Sequence, residues 1–171
     1  LQVLKVLDDL SMADLLRSNL LNSRAPNPSV ETLLHAFLPH RVVDHTHASA
    51  VLALSDQPDG DKVCGEIFAG KAAIVPYVMS GLRLAKKVAE ISLAHADVRG
   101  LILSKHGLVC YGDTAQASYE TMIELVNVAE TFLNWGRPKN FPSIELPSEV
   151  PLIGKIAPSI RGAIARTDKA T

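Results

Sequence analysis

The stretch GLILSKHGLVCY, Gly100 to Tyr111, decides the fold class. Two apolar runs, GLILS and LVCY, stand on either side of the tripeptide Lys105-His106-Gly107. A glycine-containing break between two apolar runs predicts a β-hairpin or a bent strand. Since a hairpin joins antiparallel strands, we expect a mixed or antiparallel sheet rather than a purely parallel one.

Strands and amphipathic helices alternate on both sides of this hairpin. Residues 41–47 (RVVDHTH) and 72–78 (AAIVPYV) are rich in β-branched residues and predict strands. Apolar residues recur at helical spacing over 80–95 and over a long segment from 112 to 135. Strands separated by helices predict an α/β domain, in which helices cover a central sheet.

The residues before the first strand predict two helices. Leucines at helical spacing predict a helix within residues 1–22, with Ser11 as its N-cap. The segment 22–28 (NSRAPNP) is typical of a loop. Ser29 is expected to cap a second, short helix, which Pro39 ends.

Five further predictions complete the chain. Residues 48–55 predict a helix, and 56–61 (DQPDGD) a turn. Asp113 and Gln116 predict a capping box at the start of the long helix. Prolines recur from residue 136 onward, so we expect a domain over 1–135 and an extended tail or linker over 136–171. The buried stripe of the long helix is predicted to hold Met122, Ile123, Val126, Ala129 and Phe132.

Composition excludes several classes of protein. The 171 residues are 47% hydrophobic and 20% charged, which is unlike a disordered chain. A formal net charge of −1 gives no basic surface for nucleic acid or anionic membranes. No apolar run reaches the roughly 20 residues of a membrane span. Two cysteines, Cys64 and Cys110, are too few for a disulfide framework, which favours a reduced, cytoplasmic setting.

His45 and His47 are the sharpest chemical feature of the sequence. Alternate residues of a strand point to one face, so both imidazoles can reach one cation. Imidazole suits Zn²⁺, and a catalytic zinc takes three protein ligands and leaves one position open. His106, beside Gly107 at the hairpin turn, is the best candidate for the third ligand. His35 is a candidate second-layer partner.

Glu31 is the candidate acid–base residue. It lies at a predicted helix start, where the helix dipole favours the ionised carboxylate. A carboxylate beside a metal can accept or donate a proton in carbon–carbon bond chemistry. Two structural alternatives stay open at this point. Glu31 is equally typical of ordinary helix capping, and a His-x-His pair also occurs as hydrogen-bonded histidines of a strand.

Three segments in this order resemble the class II aldolase/adducin family. They are PSVE at 28–31, VDHTH at 43–47 and KHGLV at 105–109, and the resemblance runs from about residue 26 to residue 134. Two longer stretches, PSVETLLHAFLPHRVVDHTH and VPYVMSGLRLAKKVAE, are most similar to the aldolase part of bifunctional rhamnulose-1-phosphate aldolase/short-chain dehydrogenase proteins.

The resemblance implies a fold and a site. The fold is a three-layer α/β/α sandwich with a mixed central sheet, in a cyclic homotetramer with sites near subunit interfaces. The site is a Zn²⁺ ion, or another divalent ion such as Mn²⁺ or Co²⁺, on His45, His47 and His106. Glu31 would shuttle the proton and Ser29 would contact the substrate phosphate. The implied reaction is the cleavage of L-rhamnulose 1-phosphate to dihydroxyacetone phosphate and L-lactaldehyde.

Two departures from the family pattern accompany the resemblance. Val30 replaces the second serine of a Ser-Ser pair, which puts one phosphate contact in doubt. Residues 1–27 lack the family's Gly-Asn-x-Ser phosphate loop, so the domain is expected to lack its N-terminal portion. The dehydrogenase part of the bifunctional relatives is expected to be missing from this chain too, because no G-x-G-x-x-G fingerprint occurs in it.

Two alternatives to an aldolase remain open. The same three histidines would serve an epimerase or a dehydratase acting on a sugar phosphate. An adducin-like, non-catalytic interaction domain is the other alternative, although a scaffold has no need of the histidines.

Overall fold

The structure, a computed structural model, describes residues 7–135 and 152–167, and its contacts divide the chain into two units, 1–137 and 138–171. The second unit contains α7 (Ile153–Thr167). The described elements of the first unit, in chain order, are α1 (Asp9–Ser18), α2 (Thr32–Phe37), β1 (Val42–Thr46), α3 (Ser49–Ser55), α4 (Gly60–Ile67), β2 (Ala73–Val75), α5 (Leu82–Ala94), β3 (Gly100–Leu103), β4 (Gly107–Gly112) and α6 (Ala115–Asn134).

The four described strands form one mixed sheet in the order β1-β4-β3-β2. The predicted hairpin is confirmed, because β3 and β4 pair antiparallel with Leu103 opposite Gly107. β1 is antiparallel to β4, with His45 opposite Val109, whereas β2 is parallel to β3. The chain therefore has the mixed sheet that the sequence predicted.

Helices cover both faces of this sheet, so the predicted three-layer α/β/α architecture is confirmed. We call the face that α2 and α5 cover the site face, and the face that α3, α4 and α6 cover the opposite face. The core of the site face is formed by Leu34, Leu38, Ala73, Val75, Leu84, Val88, Val98, Leu101, Leu103, Val109 and Tyr111. The core of the opposite face is formed by Val51, Leu54, Cys64, Phe68, Ala72, Ile102, Leu108, Cys110, Met122, Leu125 and Ala129.

The first helix is shorter than predicted and has a different N-cap. α1 begins at Asp9, and residues 1–6 lie outside the described part of the chain. The N-cap is Asp8 rather than Ser11, because the Asp8 carboxylate accepts hydrogen bonds from both the backbone N–H and the hydroxyl of Ser11. The helix is held by Met12, which is fully buried against Leu33 and Leu82.

Helix α4 occupies a segment for which the sequence predicted a turn and nothing more. The turn-forming residues of 56–61 stop at Gly60, where the helix begins. Cys64 and Phe68 are buried on one side of it and supply the apolar contacts that stabilise the helix. Gly and Asp are typical of turns, so the residues at the start of α4 predicted a turn and did not indicate this short helix.

The long helix α6 departs from prediction at its cap and along its buried stripe. Thr114, rather than Asp113 with Gln116, caps it: the Thr114 hydroxyl accepts from the N–H of Ala117 at 3.1 Å. Ile123 and Phe132, expected inside, are 41% and 44% exposed. The helix is rotated relative to the predicted stripe, and its buried residues are Ser118, Thr121, Met122, Leu125 and Ala129.

The C-terminal segment contains a helix where an extended chain was predicted. α7 includes Pro158 in its interior. Residues 136–151 lie outside the described part, and the assignment of 136–171 as a tail or linker stays a prediction. Within 7–135 and 152–167, no helix combines the length and the apolar character that a bilayer crossing needs.

Candidate metal centre

Four side chains from distant parts of the sequence meet at one end of the site face. Glu31 immediately precedes α2, His45 lies on β1, His47 follows β1, and His106 lies in the loop between β3 and β4. One ligand atom from each lies within 4.8 Å of all the others. The antiparallel pairing of β1 with β4 brings His45, near the end of β1, and His47, just after it, to the hairpin loop.

Strand alternation explains why the pair His45 and His47 faces this way. Val43, two residues before His45, packs into the core of the site face. His45 and His47 therefore project toward the same layer, and their Nε2 atoms lie 3.1 Å apart. This is the shared orientation that the His-x-His spacing predicted.

The Glu31 carboxylate lies within reach of all three imidazoles. Its Oε1 accepts a hydrogen bond from Nε2 of His106 at 2.9 Å and lies 3.5 Å from Nε2 of His45 and 3.6 Å from Nε2 of His47. Four ligands at 2.0–2.1 Å from a tetrahedral zinc ion stand about 3.3 Å from one another. Four of the six distances among the ligand atoms, from 2.9 to 3.6 Å, are close to this value, and the other two are within 4.8 Å.

The tautomer of His45 fits metal binding. Its Nδ1 lies 3.0 Å from the backbone oxygen of Leu108. A carbonyl oxygen only accepts, so Nδ1 carries the proton and donates it. Nε2 then keeps its lone pair and points into the cluster. Metal-binding histidines commonly have this arrangement, in which a backbone carbonyl fixes the ring and its tautomer.

Burial and charge act on His45 and Glu31 in different ways. Burial lowers the pKa of His45 and outweighs the Leu108 hydrogen bond and the Glu31 charge, which both raise it. The neutral ring is therefore favoured. For Glu31, burial is the largest single effect and raises the pKa. The His106 hydrogen bond and the three imidazoles together outweigh it, so the pKa of Glu31 lies below its usual value. At neutral pH the pair thus consists of a neutral imidazole and a carboxylate.

The cluster is open to solvent on one side. The side chain of His45 is 5% exposed and that of His106 12%, whereas that of His47 is 56% exposed. A ligand can therefore approach the cluster past His47, while the other two rings are held inside the fold.

The hairpin loop needs its glycine for steric reasons. A Cβ on Gly107 would lie 2.4 Å from the backbone oxygen of Thr46 and 3.0 Å from the His47 ring. The close approach of β1 and the loop thus excludes a side chain here. Lys105 takes a φ of 57°, which turns the chain toward His106.

The other predicted residues have more peripheral positions. Ser29 does not cap α2, because Glu31 holds the N-cap position; the Ser29 hydroxyl instead accepts from the N–H of Glu31 at 3.1 Å. His35 does not act through the cluster in this structure; its Nδ1 bonds to the backbone oxygen of Val43 at 3.1 Å. His40 stacks on Tyr111 with ring centroids 3.8 Å apart.

Two hydrogen bonds, from Thr46 and from Ser104 to helices of the opposite face, were not predicted. The Thr46 hydroxyl lies 3.2 Å from Sδ of Met122 on α6. The Ser104 hydroxyl donates to the carboxylate of Asp61 on α4. Strand alternation places Thr46 and Ser104 on the opposite face, but their partners lie 76 and 43 residues away in sequence, and no local pattern indicates them.

Comparisons with known proteins agree with this fold. The chain is 34% identical over 169 residues to a Bacillus subtilis (strain 168) protein named uncharacterized oxidoreductase YuxG, covering 94% of this chain and 24% of that protein. The chain thus spans about a quarter of its curated relative.

Solved structures share the fold. The N-terminal class II aldolase domain of a conserved protein from Thermoplasma acidophilum is 35% identical with a TM-score of 0.71, over 77% of this chain and 61% of that one. YgbL from Escherichia coli, described as a putative aldolase/epimerase/decarboxylase, is 28% identical with a TM-score of 0.53, over 67% and 61%.

The family itself follows from the sequence model that matches most of the chain. The model of the class II aldolase and adducin N-terminal domain matches residues 4–133. This range contains all of the described sheet and the four clustered side chains. The chain belongs to the class II aldolase and adducin N-terminal domain family.

Proposed function

We propose that this chain is a metal-dependent aldolase domain that cleaves a ketose 1-phosphate, such as L-rhamnulose 1-phosphate, to dihydroxyacetone phosphate and L-lactaldehyde. The observation that carries the proposal is the convergence of three imidazole Nε2 atoms and one carboxylate at the end of the site face. A non-catalytic domain has no use for three such rings around one carboxylate.

The metal ligands in this proposal are His45, His47 and His106. Three neutral imidazoles suit Zn²⁺, and also Mn²⁺ or Co²⁺, better than they suit Mg²⁺ or Ca²⁺. The bound ion would act as a Lewis acid that stabilises the negative charge developing on the hydroxy-ketone oxygens during cleavage. Glu31 occupies the fourth corner of the cluster, so its carboxylate and a substrate oxygen compete for the same place.

The proton inventory of the reaction assigns a role to Glu31. Cleavage breaks the bond between C3 and C4; the C4 hydroxyl loses its proton as the aldehyde forms, and C3 gains one as the enediolate becomes dihydroxyacetone phosphate. The reaction therefore consumes no net acid or base. Glu31 is ionised at neutral pH and lies beside the cluster, so it can take up a proton and return it to C3.

Ser29 is proposed as a contact for the substrate phosphate. Its hydroxyl accepts from the Glu31 N–H, and this places it next to the proposed acid–base residue. The hydroxyl keeps its own hydrogen for donation to a phosphate oxygen.

The test is an assay of dihydroxyacetone phosphate release coupled to its reduction by NADH, with L-rhamnulose 1-phosphate as substrate. We expect Glu31→Gln to retain the bound metal and to lower turnover by about 10²- to 10⁴-fold. Glu124→Gln, which changes an exposed carboxylate on α6, is the matched control and should keep full turnover. Unchanged turnover in Glu31→Gln would remove Glu31 from the mechanism.

The same assay separates the aldolase from its nearest rival. The YgbL structure is described as a putative aldolase/epimerase/decarboxylase, and a proton-transfer reaction such as epimerisation could use the same cluster. An epimerase would change the stereochemistry of a sugar phosphate without releasing a three-carbon fragment. A metal-loaded protein that releases none from any ketose 1-phosphate contradicts the aldolase proposal.

We also propose that the active form is a homotetramer. Members of the family typically form oligomers, and this supports the proposal. Light scattering on the protein as it elutes from a size-exclusion column should give four times the chain mass of 18.4 kDa. A mass equal to that of a monomer would contradict the homotetramer.

A further inference from the structure

His106 is held differently from the other two histidines of the cluster. His45 is part of β1, where the ladder and the Leu108 carbonyl fix its ring. His106 instead belongs to the loop between β3 and β4, because the last ladder pair is Leu103 with Gly107. The place of its ring therefore depends on whatever fixes the three loop residues, 104–106.

Ser104 attaches the loop to two other elements, while the N–H of His106 donates to the backbone oxygen of Leu103 within the hairpin at 3.0 Å. The backbone N–H of Ser104 donates to Val75 at the end of β2 at 3.0 Å. Its hydroxyl donates to the Asp61 carboxylate in the first turn of α4. Ser104 is 3% exposed, so this hydroxyl would lose a buried hydrogen bond if its partner were removed.

The partner Asp61 is itself held in a fixed place. The residue before it, Gly60, packs so closely on the end of α3 that a Cβ there would lie 2.3 Å from the backbone oxygen of Ser55. The N–H of Gly60 also bonds to the backbone oxygen of Gln57 at 3.0 Å. The start of α4 is thus fixed against α3, and the carboxylate of Asp61 is held with it.

We propose that Asp61 and Ser104 form a positioning pair that sets the place of His106 in the candidate metal centre. The hydrogen bond between Asp61 and Ser104 fixes the loop on the opposite face of the sheet, while His106 reaches Glu31 on the site face. Neither residue touches the cluster; they act through the loop backbone. The inference rests on the proposed function for its effect on metal binding, but not for its effect on the His106 ring.

The experiment compares four variants of the full chain. Ser104→Ala and Asp61→Ala remove the hydrogen bond, while Asp61→Asn keeps an acceptor oxygen. Ser92→Ala is the matched control, since Ser92 is equally buried at 4% exposed and its hydroxyl faces His40 on another part of the fold. Because Asp61 is exposed, Asp61→Ala keeps the test available if Ser104→Ala fails to fold.

Two measurements are made on each variant. Zn²⁺ affinity is determined by competition with a chromogenic chelator. Imidazole ¹H–¹⁵N NMR signals are recorded on the metal-free protein, where the His106 signal reports its hydrogen bond to Glu31.

We expect Ser104→Ala and Asp61→Ala to weaken Zn²⁺ binding by about 10- to 100-fold and to move the His106 signal, as loss of a second-layer partner does. Asp61→Asn and Ser92→Ala should match the wild type in both. If the wild type binds no Zn²⁺ but the His106 signal still moves, the proposed function fails and the positioning pair stands. If Ser104→Ala and Asp61→Ala unfold more easily but keep the affinity and the signal, the pair is merely structural and the inference is overturned.

Discussion

The two faces of the sheet use the same strands for different purposes. On the site face, Val43 packs against the hydrophobic core. His45, two residues later, belongs to the polar cluster that is open to solvent. On the opposite face, the neighbouring Thr46 contacts Met122, and Ser104 bonds to Asp61. One face holds the candidate metal centre, and the other makes the contacts that fix the ends of the same strands. The comparison indicates that the positions of the clustered side chains depend on contacts made on the other face of the sheet.

The largest expected effect comes from filling the two glycines of the hairpin. A Cβ on Gly107 meets backbone at 2.4 Å, beside the site rings, whereas a Cβ on Gly100 meets the Leu125 side-chain tip at 2.4 Å on the opposite face. Backbone cannot yield, so Gly107→Ala should lower the free energy of unfolding by about 1–3 kcal/mol or more, and Gly100→Ala by less. Urea unfolding checks both.

Zn²⁺ affinity gives a second comparison of the two glycine variants. Gly107→Ala should also weaken Zn²⁺ affinity, because the new methyl group displaces the His47 ring, while Gly100→Ala should bind Zn²⁺ like the wild type. Equal losses of affinity in the two variants would contradict the separation of the two faces.

A smaller effect is expected from lowering the pH of the metal-free protein. Burial lowers the pKa of His45 in the folded state, while the unfolded chain has a histidine pKa of about 6.5. The unfolded state then binds more protons, so stability present above pH 6.5 is lost as the pH falls toward the folded pKa. Burial acts on His40 in the same direction.

Urea unfolding in the presence of a chelator, at pH 7.5 and pH 5.5, measures this loss. We expect His45→Gln to lose less stability over this interval than the wild type does, with the remaining slope reduced further in the double variant with His40→Gln. A wild-type protein that becomes more stable as the pH falls would show that the rings are held in their charged form.

The smallest effect is expected at the thiols of the opposite face. Burial raises the pKa of Cys64 to about 11 and that of Cys110 to about 12, and both are free and buried. A thiol-specific chromogenic disulfide at pH 8 should therefore react with neither thiol in the native protein and with both in urea. Rapid reaction of either thiol in the native protein would mean that the opposite face opens.

A cytoplasmic location stays a prediction.

Much of the fold could be predicted because its patterns are local. The apolar runs around Lys105-His106-Gly107 predicted the hairpin, and β-branched runs predicted β1 and β2. The misses have two kinds of cause, a different local hydrogen bond and a tertiary contact. Asp8 took the cap position from Ser11, and burial of Phe68 stabilised α4 behind residues typical of a turn.

The cluster could be predicted less completely than the fold. Strand alternation predicted that His45 and His47 share one face. The turn glycine beside His106 and the helix start at Glu31 made these two residues candidates, and the family resemblance added support for both. The Leu108 carbonyl that fixes the His45 tautomer, and the Asp61–Ser104 hydrogen bond, depend on pairing between distant segments. No spacing in the sequence encodes such contacts, so only the fold reveals them.

The most direct test of the account is the metal content and coordination of the purified chain. X-ray absorption on protein loaded with Zn²⁺ and freed of excess should give one ion per chain with three imidazole nitrogens at about 2.0–2.1 Å. Alanine at His45, His47 or His106 should abolish that binding. A chain that binds no divalent ion at neutral pH, or one bound without imidazoles, would contradict the central claim.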